Sequence, residues 1–214
     1  MPATAVRVAV WSDYVCPFCY LELPVLDRLK GDAGVPVRVE WRAFELRPEP
    51  VPTLDPDGAY LHRVWNQSVY PMARERGLTL RLPPVQPRSR KAHEATAFAR
   101  SAGRADATAE ALFRAFFEHG RDIGEPEVLV AAGREAGLDA DALRRALDEG
   151  RFTAEVLADE AEAQRLGLSG VPALVVGLAE GPIEQGYLLQ GAQPYEAVAA
   201  VVDRVARGQH LAER

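Results

Sequence analysis

Val15–Tyr20 is the sequence VCPFCY, and it contains the only two cysteines of this 214-residue chain, Cys16 and Cys19. Directly before it, Arg7–Trp11 (RVAVW) is short, mostly apolar and rich in β-branched residues, which predicts a buried strand. Directly after it, apolar residues recur at helical spacing, and Pro17 suits the first turn of a helix, where its missing N–H is harmless. The cysteines are therefore predicted to lie at a strand–turn–helix junction.

A C-x2-C pair can belong to a zinc site, a structural disulfide or a redox centre. A structural zinc site needs four Cys or His ligands, and the histidines are scattered without an H-x3-5-H pair: His62, His93, His119 and His210. A disulfide that closes a loop of two residues removes little chain entropy, which argues against a structural role. We therefore favour a redox centre and predict neither a metal nor a cofactor.

The predicted start of the helix near Cys16 gives a physical reason for redox chemistry. Unsatisfied N–H groups and the positive end of the helix dipole stabilise a thiolate at that position. Cys16 is therefore the predicted nucleophile. Cys19 lies one turn later on the same face, within reach of a disulfide, and we expect it to be the more buried, resolving thiol.

The rest of the chain predicts an α/β protein with a helical block in its middle. Val35–Leu46 alternates between apolar and polar residues, so the chain opens β-α-β. The segment 47–58 contains four prolines and is predicted to be a linker. Five helical segments follow: Ala59–Arg76, Ser89–Ser101, Ala107–His119, Glu125–Ala136 and Ala140–Glu149.

The C-terminal part predicts the order α-β-β-α. A helix over 151–168 precedes the strand Ala173–Val176, which forms a hairpin with 183–191 and is followed by an amphipathic helix. Pro172 immediately precedes the strand, where a proline cannot donate to the ladder. It is either an ordinary trans strand start or a cis-proline that exposes a docking edge for an extended peptide.

Two stretches, WSDYVCPFCY (Trp11–Tyr20) and LSGVPALVVG (168–177), carry a resemblance to a known family. Together they resemble the DsbA-like branch of the thioredoxin superfamily, and within it the cytoplasmic FrnE-like dithiol oxidoreductases. The resemblance covers nearly the whole chain and implies a thioredoxin-like fold, β-α-β … α-β-β-α, with an α-helical insertion. We place the thioredoxin-like domain in 1–54 and 151–214 and the insertion in 55–150.

The resemblance also implies roles for single residues. Cys16 is the nucleophile, Cys19 the resolving cysteine and Pro172 a cis-proline facing them, while Pro24 corresponds to the proline that kinks the active-site helix of such folds. One residue departs from the pattern, since the best-known oxidants of the family have Pro-His between the cysteines. Phe18 cannot supply the charge of that histidine, so a strongly oxidising centre is not implied and the direction of catalysis stays open.

The predicted function is thiol–disulfide exchange through a mixed disulfide on Cys16. The substrates would be protein or small-molecule thiols and disulfides, with glutathione or a thioredoxin-type protein as the recycling partner. The net charge of −6 disfavours nucleic acid as a partner, and no apolar run approaches the ~20 residues of a membrane span. No A-x-A cleavage site follows the N-terminal apolar stretch, so we expect a cytoplasmic protein.

Two other functions remain open at this point. The fold also resembles the kappa-class glutathione transferases and the hydroxychromene-carboxylate isomerases, which usually have a single serine or cysteine as the nucleophile. Retention of both Cys16 and Cys19 argues against that function. A binding or chaperone-like module would instead use an apolar groove of the helical block.

Further residues near the motif are predicted to contact the substrate: Val171, Pro17, Phe18 and Trp11. For Trp11 the alternative is a place in the core, and for Asp13 it is a cap of the turn or helix. Glu45 could accept a proton beneath the cysteines, although a solvated strand end is favoured. His93 could face the active site, although an exposed helix surface is favoured, and His119 is explained by the dipole of a helix C-terminus.

Overall fold

The computed structural model describes residues 5–209, and its centre is a four-stranded mixed sheet in the order β2-β1-β3-β4. β1 (Val6–Ser12) pairs in parallel with β2 (Val37–Ala43) and antiparallel with β3 (Ala173–Leu178). β4 (Tyr187–Gln190) pairs antiparallel with β3 and forms one edge of the sheet. The strand that leads into the cysteines is therefore central and has a neighbour on each side.

Side chains of β1 are buried on both faces of the sheet. Val6, Val8 and Val10 belong to the larger hydrophobic cluster, whereas Ala9 and Trp11 belong to a smaller cluster on the other face. Successive side chains of a strand point to opposite faces, so both faces must be covered to bury them all. This explains why the strand is apolar at nearly every position.

The register of β1 and β3 brings the two distant parts of the motif together. Trp11 lies opposite Ala173, so the loop that leaves β1 starts beside the residue that follows Pro172. As a result, Cys16 and Val171 are in contact although they are 155 residues apart in the chain.

Helix α1 (Pro17–Asp32) follows β1 and continues through Pro24. Helices and short helical segments of π type fill the chain between β2 and β3, a 3-10 turn precedes β4, and a last helix follows it. They are α2 (Ala59–Val64), a π segment (Trp65–Val69), α3 (Tyr70–Glu75), α4 (Arg90–Ser101), α5 (Ala105–Phe113), a π segment (Arg114–Glu118), α6 (Pro126–Glu135), α7 (Ala140–Asp148), α8 (Thr153–Arg165), the 3-10 turn Ile183–Gln185 and α9 (Tyr195–Ala206).

An aromatic cluster joins these helices to α1 and the sheet. Phe113 is fully buried, and its ring lies 4.9 Å from that of Tyr14 and 5.5 Å from that of Tyr20, between ring centroids. Phe117 stacks on Tyr20, and Trp65 packs against Phe117. The aromatic core of the helical block therefore continues directly to the cysteine-bearing helix, as one cluster.

The predicted α/β class, with a helical block between the second and third strands, is confirmed. Two strands are shorter than predicted. The second strand ends at Ala43 rather than Leu46, and the fourth begins at Tyr187, because Ile183–Gln185 forms a 3-10 turn. Gly186, directly before β4, lies so close to β3 that an added Cβ would approach Cγ1 of Val175 to 2.5 Å, so a side chain at this position would clash.

Candidate redox site

Cys16 lies at the start of α1, where it is the N-cap residue with extended backbone angles (φ −94°, ψ 112°). Its carbonyl accepts hydrogen bonds from the backbone N–H groups of Cys19 (3.1 Å) and Tyr20 (3.4 Å), so the helix begins on this residue. The thiol has a small exposed fraction of 5%. Cys16 thus lies at the N-terminus of a helix, as the sequence predicts.

Pro172 directly precedes β3, and the Val171–Pro172 peptide bond is cis. The Cys16 thiol donates to the carbonyl oxygen of Val171, with 3.6 Å between Sγ and O. The Pro172 carbonyl accepts from the N–H of Gly191 at 2.8 Å, which holds this loop against the turn before α9. The Val171 carbonyl thus lies beside the Cys16 sulfur, and the Pro172 carbonyl is held by Gly191.

Cys19 is the more buried thiol, with 1% exposed, and both cysteines are free. The backbone N–H of Asp13 donates to its sulfur at 3.5 Å. Burial raises the pKa of the Cys19 thiol well above its usual range, and the neighbouring Cys16 thiol raises it further, whereas the Ser12 hydroxyl and the Asp13 N–H lower it. Burial prevails, so Cys19 is held as a neutral thiol.

Asp13 is fully buried and fixes the loop that carries the cysteines. One carboxylate oxygen accepts from the N–H of Val15 at 3.3 Å, and the other accepts from the N–H of Leu46 at 2.7 Å. It therefore caps the turn before α1, as the sequence allowed, and also ties this turn to the loop after β2.

His93 is buried, with 5% exposed, so the prediction of an exposed helix surface is wrong. Its Nε2 lies 3.6 Å from a carboxylate oxygen of Asp13, and its ring centroid lies 5.0 Å from that of Tyr14. The cause is the packing of α4, since neighbouring helices cover this helix on several sides and seven of its 12 residues are buried.

Glu45 is also buried, with 6% exposed, and does not end β2 as a solvated residue. Its carboxylate accepts from Arg90 at the start of α4, and its N–H donates to a carboxylate oxygen of Glu160 at 3.2 Å. Burial raises the pKa of Glu160, and the charge of Glu45 raises it further. Glu45 thus joins three elements of the fold, and the favoured prediction for it is corrected.

Trp11 is fully buried in the smaller hydrophobic cluster, and its indole N–H donates to the carbonyl oxygen of Asp159 at 3.0 Å. It points to the face of the sheet covered by α8 and has no surface that a substrate could contact. The prediction that Trp11 contacts the substrate is therefore corrected, and the alternative of a core residue applies. His119 is exposed just after the second π segment.

A cavity of about 270 Å³ opens beside Cys16, between the start of α1 and the helical block. Three of the predicted contact residues line it: Val171, Pro17 and Phe18. The opposite wall comes from residues that the sequence did not indicate, namely Arg47, Leu54, Leu61, Trp65, Gln86 and Phe117. The proline-rich segment 47–58 therefore forms part of the site instead of serving only as a linker.

Within residues 5–209, no three His, Cys, Asp or Glu side chains are grouped so that they could hold a metal ion. His210 lies outside the described residues. The helices of the described part of the chain include none that is long and apolar enough to cross a membrane.

With this geometry established, comparison with known proteins defines the class. Residues 7–203 match the DSBA-like thioredoxin domain family, and the chain belongs to that family. It is 31% identical over 176 residues to the uncharacterized protein YwbO of Bacillus subtilis, covering 80% of this chain and 87% of that protein. This relative supports the family assignment, and its name states no activity.

Solved structures show the same fold over nearly the full length. A probable DsbA oxidoreductase from Streptomyces coelicolor is 29% identical, with a TM-score of 0.76 over 98% of this chain and 93% of that one. Cytosolic disulfide reductase DsbM from Pseudomonas aeruginosa is 21% identical, with a TM-score of 0.70 over 94% and 98% of the two chains. A 2-hydroxychromene-2-carboxylate isomerase is 19% identical, with a TM-score of 0.74 over 94% and 97%. The protein thus shares its fold with oxidoreductases and an isomerase.

Proposed function

We propose that this protein is a thiol–disulfide oxidoreductase whose redox centre is Cys16-Pro17-Phe18-Cys19. The observation that supports this most directly is the unequal placement of two free thiols on one helix start. Cys16 lines the cavity next to Val171, whereas Cys19 lies beneath it and is held as a neutral thiol. An attacking thiol must be reachable and a resolving thiol need not be.

In the reducing direction, the Cys16 thiolate attacks one sulfur of a substrate disulfide and forms a mixed disulfide, while the other substrate sulfur leaves as a thiolate. Cys19 then loses its proton and attacks the Cys16 sulfur. The Cys16–Cys19 disulfide forms and the second substrate thiolate is released. The protein loses two electrons and the substrate gains two; the oxidising direction is the same sequence reversed.

The cavity favours protein substrates with an apolar side chain near the reacting sulfur. Leu46 and Tyr60, two of the large apolar side chains that stay exposed, line it, with exposed fractions of 39% and 53%. A substrate segment passing Val171 would place its sulfur beside Cys16.

We further propose that glutathione or a thioredoxin-type protein recycles the pair in the cytoplasm, as in a FrnE-like enzyme. The neighbour DsbM bears the name of a cytosolic disulfide reductase.

A second candidate is a glutathione-dependent transferase or isomerase. The observation that favours it is Arg47 in the lining of the cavity, since a guanidinium suits a small ligand with a carboxylate. Such a reaction needs only one thiol. Catalysis that is unchanged in Cys19→Ser, together with tight glutathione binding, would support this function instead.

The proposed function is tested by two single substitutions. We expect Cys16→Ser to abolish the reduction of insulin disulfides, because the nucleophile is lost. Cys19→Ser should still react but accumulate a covalent mixed disulfide, visible as a mass increase on the intact protein. A Cys16→Ser variant with the activity of the wild type would contradict the proposal.

A further inference from the structure

A small cavity of about 10 Å³ lies between β1, β2, α4 and α8. Its lining includes Ser12, His93, Thr96 and Asp159, and none of its lining residues lines the larger cavity beside Cys16. This volume is roughly that of one water molecule. A water there would have several polar neighbours.

Three polar side-chain atoms of residues in this lining have no hydrogen-bond partner among the described residues: Ser12 Oγ, His93 Nε2 and Arg42 Nε. Ser12 and His93 are almost completely buried, with 2% and 5% exposed. Ser12 directly precedes Asp13, whose N–H donates to the Cys19 sulfur at 3.5 Å, and the Ser12 hydroxyl lowers the pKa of the Cys19 thiol. Buried polar atoms normally have partners, and one water in this cavity would give a partner to both Ser12 Oγ and His93 Nε2.

Charged and titratable groups from four parts of the fold face His93 across this region: Asp13 and Tyr14 from the β1–α1 loop, Arg42 from β2, Arg100 from α4 and Asp159 from α8. The Asp159 carboxylate is bound by Arg42 at 2.9 Å and by Arg100 at 3.3 Å, so its charge is compensated. Burial raises the pKa of Tyr14, whose hydroxyl shares a hydrogen bond with Thr96, so it stays neutral.

Asp13 is different, because among the described residues no arginine or lysine pairs with it. Within residues 5–209, His93 is the one basic side chain at ion-pair distance from Asp13, at 3.6 Å. The Asp13 carboxylate thus places a negative charge beside His93 Nε2. The same Asp13 also contributes the N–H that donates to the Cys19 sulfur.

We propose that His93 receives the proton that Cys19 releases when it resolves the mixed disulfide, by way of the Ser12 hydroxyl and one water in this cavity. The inference rests on the proposed function and assigns it a further residue. The Cys19 S–H bond breaks, its proton is relayed to His93 Nε2, and Asp13 balances the new positive charge. The Cys19 thiolate then attacks the Cys16 sulfur and the substrate thiolate leaves. In the opposite direction His93 returns the proton.

The experiment uses the reduced full chain and the disulfide of 5-thio-2-nitrobenzoate, whose coloured thiol is released in two phases. The first phase reports attack by Cys16, and the second reports attack by Cys19 on the mixed disulfide. Both rates are measured by stopped flow across the pH range in which the protein stays folded. His93→Asn and His93→Gln are compared with the wild type and with His119→Asn, which alters an exposed histidine.

We expect both His93 variants to slow the second phase about 100-fold at neutral pH, the lower end of the effect of a general base, and to leave the first phase unchanged. The difference should shrink as the pH rises, because hydroxide then removes the thiol proton. Ser12→Ala should slow the second phase in the same way, and His119→Asn should match the wild type.

A merely structural histidine would give another pattern. If the conservative His93→Gln restored the wild-type rate, or if the second phase of the His93 variants kept the wild-type pH profile, the inference would be overturned. If neither His93 variant folds, Ser12→Ala tests the proton relay instead, and an unchanged second phase in Ser12→Ala would overturn the inference. A wild type with no second phase at all would overturn the proposed function itself, and this inference with it.

Discussion

Glu22 offers the sharpest test of the energetics of this fold, because a buried carboxylate there joins three parts of the chain. It lies on α1, one turn after Cys19, and its side chain has no exposed surface. One oxygen accepts from Arg76 at 2.9 Å and from the N–H of Gln193 at 3.0 Å. The other oxygen has no partner among the described residues.

Burial raises the pKa of Glu22 from 4.5 to about 7, although Arg76 and the N–H of Gln193 act in the opposite direction. An acid whose pKa is raised by folding binds its proton more tightly in the folded state. Its contribution to stability is therefore complete below pH 4.5 and is lost as the pH rises through about 7. With about 1.4 kcal/mol for each pH unit, the loss amounts to roughly 3 kcal/mol.

The perturbation is Glu22→Gln, which keeps the shape of the side chain and removes its titration. Urea unfolding of both proteins between pH 4.5 and 8 gives the free energy of unfolding at each pH. We expect the wild type to lose roughly 3 kcal/mol relative to the variant between the ends of this range. If the stability of the wild type relative to the variant stayed constant or rose with pH, the reasoning would be refuted, since the ion pair with Arg76 would then outweigh burial.

Two further substitutions test the core and the redox centre. Phe113→Ala should lower the free energy of unfolding by about 3–5 kcal/mol, because its fully buried ring packs on Tyr14, Tyr20 and Trp41. The control Leu157→Ala, at a 44% exposed position, should change it by less than about 0.5 kcal/mol. Equal losses of the two variants in urea unfolding would contradict this prediction. Phe18→His should raise the reduction potential of the Cys16–Cys19 pair by about 30 mV, a tenfold change in its equilibrium with glutathione, because an imidazolium favours the thiolate. An unchanged or lower potential would show that this side chain does not control the reduction potential of the pair.

The parts of the fold that the sequence predicts are those in which local pattern and burial agree. Three local signals indicated elements that the structure contains: the apolar residues of β1, the helical spacing after Pro17 and the proline directly before β3. The contact between Cys16 and Val171 follows from the pairing of β1 with β3. No local signal contains that pairing, so the resemblance to a known family was needed to expect it.

The residues that sequence interpretation placed wrongly depend on tertiary packing. His93 looks like a surface residue because charged residues surround it in the sequence, yet α4 is covered by its neighbours. Glu45 looks like a solvated strand end, yet it is buried against Arg90 at the start of that helix. The signal that could have indicated the burial of α4 is the row of alanines at Ala92, Ala95 and Ala99, all fully buried, since small side chains let helices approach closely. The far wall of the cavity beside Cys16 lies in loops and helices whose position no periodic pattern encodes.

The measurement that tests the central claim most directly is a redox titration of the full chain with glutathione, followed by the mass of the intact protein. We expect one two-electron transition in which the protein loses two hydrogen atoms as Cys16 and Cys19 join, at a potential between the ~−270 mV of thioredoxin and the ~−120 mV of DsbA. A protein that gained only a glutathione adduct, or that kept both thiols free at oxidising ratios of glutathione, would contradict the account.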